Sequence, residues 1–224
     1  VRKAALLFEV GAGLEVWVSS LVKNAGNGSL RVVTTSKDIE LIQDHPEPAG
    51  TSHSHEHAAG NPHVWLDPAA AATMVQHISD AMAAADPAHA TDYRTNTATY
   101  LQTLTRVQDE SLTRLRSLPS RAIIVHHPAW PYFARRYDLH IAGTIQTQSG
   151  GEPSARHLHT LIETIKRDHV RVIISEVQLN QKVPQLLARE TGARIAVLTT
   201  LPGGVPGTET YLDIDKVLDA CRRT

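Results

Sequence analysis

The second half of the chain alternates short apolar segments with amphipathic ones, and this alternation constrains the fold more than any other feature. Beyond Pro119 we predict strands at 122–125, 139–142, 170–175 and 194–198, and helices at 129–137, 154–168, 181–191 and 211–223. Strands that alternate with helices form a mostly parallel sheet covered by helices. Such sheets bind ligands near the carboxyl ends of their strands. The pattern therefore predicts an α/β fold and directs attention to the residues that end each strand.

The first half has fewer strands and contains one long helical segment. We predict strands at 4–10 and 30–34 and helices at 14–24 and 68–85. Residues 88–118 contain no Pro or Gly and carry apolar residues at steps of three and four. A helix of this length extends about 45 Å, which exceeds the width of a small domain. A helix of this length often bridges two lobes, and the alternative is a long helix packed within one domain. We favour the bridge and expect two lobes of mostly parallel sheet flanked by helices: an N-terminal lobe at 1–87, a bridging helix at 88–118 and a C-terminal lobe at 119–224.

The composition excludes several classes of protein. Hydrophobic residues make up 42% of the chain and charged residues 20%, as in ordinary globular proteins. The net charge of −1 argues against a nucleic-acid-binding surface. The single cysteine, Cys221, excludes an intramolecular disulfide and a zinc site made of cysteines.

The segment Gly60–Pro68, Gly-Asn-Pro-His-Val-Trp-Leu-Asp-Pro, holds one histidine in a restricted frame. Pro62 restricts the backbone before His63. Asp67-Pro68 resembles an N-cap followed by proline at the first helical position, so a helix is predicted to start there. A preorganised histidine suits a metal ion. The alternative is a histidine that makes a local hydrogen bond at a helix start.

Polar residues also end two predicted strands. His126 and His127 follow the strand 122–125, and Glu176 follows the strand 170–175. Side chains alternate along an extended segment, so only one of the two histidines faces a given site, and for His126 we favour a structural role. Glu176 is either a ligand or a capping or surface carboxylate. Together with His63, these donors suit Zn²⁺ or Mn²⁺.

A histidine-rich run precedes the first motif. His53, His55 and His57 lie in a polar segment at 44–61 that is rich in Pro, Gly and Ser and has no periodicity. We predict that this segment is a loop.

Several of these motifs together resemble one known family. Asn61–Pro68 is similar to the "PHxWLDP" signature, and His127–Tyr137 (HPAWPYFARRY) resembles the "HDAFGYFxxRYGL" segment, of the metal-binding proteins that serve zinc and manganese ABC importers. Gly11–Trp17 (GAGLEVW) looks like the "GxGLExW" turn of these ZnuA/TroA-like proteins. Glu152–Ser154, Ser175–Gln178 and Ala188–Ala193 fit the C-terminal lobe of the family. The resemblance covers nearly the whole chain, with its motifs in the same order.

The resemblance implies two α/β lobes joined by a long helix, with a metal ion in the cleft. It implies that His63 and His127 are ligands. It also implies that the histidine-rich loop near the site, here 44–57 with His53, His55 and His57, is an auxiliary metal-binding loop. It also implies a solute-binding protein, in the periplasm or at the outer face of the cell membrane, that captures Zn²⁺ or Mn²⁺ and delivers it to an ABC permease in that membrane. We expect a monomer that is not an enzyme and has no nucleic-acid partner.

Two departures from the family pattern affect the expected ligand set. The chain begins at Val1 without an initiator methionine or signal peptide, whereas family members place a further strand, helices and another histidine ligand ahead of the "GxGLExW" turn. We therefore expect that the N-terminal part is missing. The usual aspartate ligand aligns with Thr199, and threonine is a poor zinc ligand. Either Glu176 takes its place or the site has three histidines and a water molecule.

Two other functions fit parts of the sequence. A metal store or chaperone would use the histidine-rich loop as its main binder. A zinc-dependent hydrolase would use Glu176 as a general base, but the chain has no HExxH or GxSxG motif.

Overall fold

The computed structural model describes residues 1–43, 60–116, 118, 120–146, 151–201, 217 and 220. The chain divides into two compact units, Val1–Gln108 and Asp109–Thr224. The histidines of the predicted loop, His53, His55 and His57, lie outside the described residues, as does most of the helix predicted at 211–223. Along the described part of the chain, no helix has the length and apolar character to cross a membrane.

The first unit contains a parallel pair of strands, β1 (Leu6–Glu9) and β2 (Arg31–Thr34). Helix α1 (Val18–Ala25) connects them, and α2 (Pro68–Ala85) contacts both strands. Nδ1 of His77, on α2, lies 2.9 Å from the carbonyl oxygen of Thr35. This contact ties α2 to the carboxyl end of β2.

Helix α1 begins four residues later than predicted. The carboxylate of Glu15 accepts hydrogen bonds from the backbone N–H groups of Val10 (2.9 Å) and Gly11 (3.0 Å). Gly11 has a φ of +81°, in the left-handed region that favours glycine. The segment 11–17 is therefore a tight turn organised around one carboxylate, and this turn takes up the residues expected to form the first turn of the helix.

Two helices follow in this part of the chain. Helix α2 has the predicted bounds because Oδ1 of Asp67 caps the N–H of Ala69 at 2.9 Å and Pro68 occupies the first position. Helix α3 spans Ala90–Leu115, shorter than predicted at both ends, and follows a short 3₁₀ turn. The division between the units falls inside α3, after Gln108. Its role as a bridge stays a prediction.

The second unit is a four-stranded parallel sheet with the order β4-β3-β5-β6. Its strands, among the described residues, are β3 (Ala122–Val125), β4 (His140–Thr144), β5 (Val172–Glu176) and β6 (Arg194–Leu198). The described part of the unit also contains the helices α4 (Pro131–Arg136), α5 (Ala155–Arg167) and α6 (Lys182–Thr191), and Val217 and Ala220 are helical. The chain moves from β3 to β4 on one side and then returns to β5 on the other side. The strand order therefore reverses between β3 and β5, where α/β sheets bind their ligands.

An apolar core packs α5 and α6 against this sheet. Its buried residues are Ile124, Ile145, Leu161, Ile165, Val170, Ile173, Leu187 and Ala193. A Cβ atom at Gly143 would lie 2.6 Å from Cδ2 of Leu161, so a larger residue there would displace the Leu161 side chain that packs from α5. The mixed α/β class predicted from the alternation is confirmed.

Replacing Ser154 by alanine is expected to destabilise the second unit by about 1 kcal/mol. Oγ of Ser154 accepts a hydrogen bond from the N–H of His157 at 3.2 Å and caps α5. Urea unfolding would measure the loss, with Thr160→Ala as the control, because Oγ1 of Thr160 bonds only within the same helix, to the carbonyl of Arg156. Equal unfolding midpoints for the two variants would contradict the capping role.

Candidate metal-ligand residues

Two of the predicted site residues lie at the ends of β3 and β5, the neighbouring strands between which the strand order reverses. His127 lies two residues beyond the end of β3, and Glu176 is the last residue of the adjacent β5. Nδ1 of His127 is 2.5 Å from Oε2 of Glu176. The side chain of His127 is 18% exposed, whereas that of Glu176 is fully buried. The sheet therefore brings a partly accessible imidazole against a buried carboxylate.

This contact determines which ring nitrogen of His127 can act as a ligand. An ionised carboxylate has no proton to donate, so we assign the proton at the contact to Nδ1 of His127. In the neutral ring the lone pair then resides on Nε2. Histidines that bind metals commonly donate the other ring N–H to a carboxylate, which orients the ring and raises its basicity. His127 has the arrangement of such a ligand.

The carboxylate of Glu176 is held by donors on both oxygens. The indole N–H of Trp130 donates to Oε1 at 2.9 Å, and the side-chain amide of Gln178 donates to Oε2 at 3.1 Å. Trp130 is fully buried. A buried carboxylate is costly unless such partners compensate for the lost water. Because these donors come from two segments of the unit, one before α4 and one after β5, each oxygen of the carboxylate has a partner.

His126 faces away from this contact. Its Nδ1 lies 2.8 Å from Oγ of Ser175, and the residue is 2% exposed. Burial holds the pKa of His126 below its usual value, and the adjacent Glu176 only partly opposes this effect. His126 is therefore a neutral core residue, in agreement with the structural role predicted for it.

His63, in the first unit, is also oriented through Nδ1. Its Nδ1 lies 3.0 Å from Oδ1 of Asn61, and its backbone N–H donates to the same oxygen at 3.1 Å. Asn61 is buried. When the amide oxygen accepts from Nδ1–H, the lone pair of the neutral His63 ring lies on Nε2. The local hydrogen bond foreseen as the alternative is present, and it is compatible with a ligand because it engages only one ring nitrogen.

Thr199 is engaged in a local turn. Its hydroxyl donates to the carbonyl of Leu201 at 2.9 Å and accepts from the N–H of Leu201 at 3.1 Å. These bonds support the expectation that Thr199 is not a ligand. Among the residues that the structure describes, no group of three His, Cys, Asp or Glu side chains is arranged to hold a metal ion.

The sequence patterns predict no role for Trp130, Gln178 or Asn61. Trp130 and Gln178 lie within the segments that carry the family resemblance, but side-chain contacts between residues 46 positions apart have no local signal. For Asn61 a signal existed, because asparagine side chains often bond the backbone two residues later.

The chain is similar in sequence to known proteins. Residues 1–218 match the family of zinc-uptake complex component A, periplasmic (ZnuA). The chain is 30% identical to a putative metal-binding protein of Treponema pallidum, covering all of this chain and 73% of that protein. It is 34% identical to the high-affinity zinc uptake system protein ZnuA of Bacillus subtilis, covering 85% of this chain and 60% of that protein.

The fold is also similar to solved structures. The zinc-bound structure of a ZnuA deletion mutant superposes with a TM-score of 0.81 at 28% identity, covering 100% of this chain and 81% of that one. The chain spans 39 to 60% of the length of curated relatives named as zinc proteins. From the match across 218 residues and the shared two-lobe α/β fold, we conclude that the chain belongs to the ZnuA family of zinc-uptake components.

Proposed function

We propose that this protein captures a divalent transition metal, Zn²⁺ in preference to Mn²⁺, outside the cytoplasm and delivers it to an ABC permease. His63 and His127 are the ligands that the chain offers, each through Nε2. The observation that carries the proposal is the contact of His127 Nδ1 with the buried Glu176, 2.5 Å away. When a carboxylate accepts a hydrogen bond from one ring nitrogen of a histidine, the lone pair of the neutral ring resides on the other nitrogen, which can bind a cation.

The names of the relatives support the choice of metal. The Bacillus subtilis protein is named for high-affinity zinc uptake, and the solved ZnuA deletion mutant contains zinc. Imidazole nitrogens suit Zn²⁺ well, whereas Mn²⁺ is suited more by oxygen ligands. With two imidazoles offered, the ligand chemistry of this chain also favours zinc. The protein acts as a carrier rather than an enzyme.

For Glu176 we propose a positioning role in place of direct ligation. Oε1 already accepts from Trp130, and Oε2 accepts from Gln178 and lies against His127. A carboxylate with these partners would have to break contacts to coordinate a metal. The X-ray absorption spectrum of the metal-bound protein is therefore expected to show imidazole nitrogens next to the metal and no oxygen from Glu176. The substitution Glu176→Asp is expected to change this spectrum only slightly.

Calorimetric titration with Zn²⁺ tests the function. The full-length gene product is expected to bind one equivalent tightly, and titration of the protein starting at Val1 alongside it would measure what any preceding segment contributes. Failure of the full-length product to bind zinc would refute the proposal.

Deletion of residues 44–57, which contain the histidine-rich run, separates a carrier from a metal store. A carrier is expected to keep its tight site and to lose only weak equivalents, because exposed histidines without a rigid frame bind metal weakly. The measurement is the number of tight and weak equivalents per chain before and after deletion. Loss of most of the bound zinc, including the tight equivalent, would favour the store.

A further inference from the structure

Trp130 is a buried polar side chain that the proposed ligand set does not use. It is fully buried and directly precedes α4, whose first residue is Pro131. The ring packs edge-on against Phe133, with 5.5 Å between ring centroids. Its one polar atom, Nε1, donates to Oε1 of Glu176 at 2.9 Å. An indole N–H is only a donor, so this bond has one possible direction.

The two oxygens of Glu176 have different partners. Oε2 is shared by His127 and Gln178, whereas Oε1 accepts from Trp130. A carboxylate held through only one oxygen can rotate about its last torsion, which is a broad, soft degree of freedom. A donor on each oxygen fixes the plane of the group. Trp130 therefore determines that Oε2 is the oxygen that lies against the imidazole.

We propose that Trp130 is a positioning residue for metal binding. Its indole N–H holds Oε1 of Glu176, which directs Oε2 at Nδ1 of His127 and keeps Nε2 as the metal-binding nitrogen. For its effect on zinc, this inference rests on the function proposed above. For its effect on the imidazole, it rests only on contacts within the second unit.

The substitution Trp130→Phe removes the donor and retains an aromatic ring. Oε1 of Glu176 then remains buried without this partner, and a buried acceptor that loses its donor has a substantial desolvation penalty. The carboxylate is expected to turn toward the remaining donors, so that the ring of His127 loses its fixed acceptor. The proton of the neutral ring is then distributed over both nitrogens, and in fewer molecules does the lone pair reside on Nε2.

Zinc competition with a chromophoric chelator, using the full-length gene product, tests the first consequence. Outer partners of ligating histidines change metal affinity by 10–100-fold, and a residue one step further away is expected to change it by about three- to tenfold. The matched control is Ile165→Val. Ile165 lies on α5 in the apolar core of the same unit, so this substitution weakens core packing without touching Glu176 or His127. An affinity lowered as much in the control as in Trp130→Phe would overturn the proposal.

Long-range ¹⁵N–¹H correlation spectra of the metal-free protein test the second consequence, the change in the position of the His127 ring proton. The wild type is expected to carry the neutral-ring proton of His127 on Nδ1, and Trp130→Phe is expected to move part of it to Nε2. A wild-type ring protonated on Nε2, or an unchanged ring in a folded Trp130→Phe variant, would overturn the proposal. If the ring responds but zinc affinity does not depend on His127, the positioning role stands and the proposed function fails.

Discussion

Replacing His127 by alanine is expected to lower the affinity for Zn²⁺ by at least about tenfold, because a zinc site that loses one imidazole loses one of only three or four protein ligands. The loss also removes the imidazole that Oε2 of the buried Glu176 contacts. Competition titration of the wild type and the variant measures the ratio of the two dissociation constants.

The control for this experiment is His159→Ala. The side chain of His159 is 72% exposed and lies on α5, beside Glu163 of the same helix. The substitution His159→Ala is expected to leave the zinc affinity unchanged. An affinity retained in His127→Ala would show that the reversal of strand order in this sheet is not where the metal is held. Circular dichroism of both variants would establish that they are folded.

Replacing Glu176 by glutamine is expected to weaken zinc binding by about 10–100-fold, the range measured for partners that orient ligating histidines. The amide has nearly the same shape, but it has no negative charge and has only one acceptor oxygen. It therefore cannot place an acceptor oxygen against both Trp130 and His127, as the carboxylate does.

Affinity alone does not separate a positioning role of Glu176 from ligation, because both roles predict a loss. The number of nitrogen and oxygen neighbours of the bound zinc distinguishes them. If Glu176 only positions His127, zinc in the variant at saturating metal keeps the same nitrogen neighbours as in the wild type. Loss of an oxygen neighbour in the variant would instead identify Glu176 as a ligand.

The fold was largely predictable from local patterns. Helix α2 and strands β3 and β6 have the predicted bounds, because capping residues and short apolar runs act within a few positions. Helix α1 was predicted four residues too early. The turn before it depends on the bonds of the Glu15 carboxylate with two backbone N–H groups, which no helical periodicity reveals.

The candidate site was predictable in its members but not in its contacts. Residues at strand ends identified His126, His127 and Glu176 as candidates, and a proline-restricted motif identified His63. The resemblance to a family then favoured His127 over His126. The ligand role of these residues remains a prediction, and the auxiliary role of His53, His55 and His57 concerns residues outside the described part of the chain.

The sequence by itself determined the α/β class, the strand ends that carry polar residues and the family, because each depends on residues that are close together in the chain or on the order of motifs. Only the tertiary structure decided which partners these residues meet. The sheet order β4-β3-β5-β6 places His127 beside Glu176, and Trp130 reaches the same carboxylate from a position 46 residues away. The assignment of the neutral-ring proton to Nδ1 of His127 follows from that packing, since the proton of an imidazole resides where an acceptor is close.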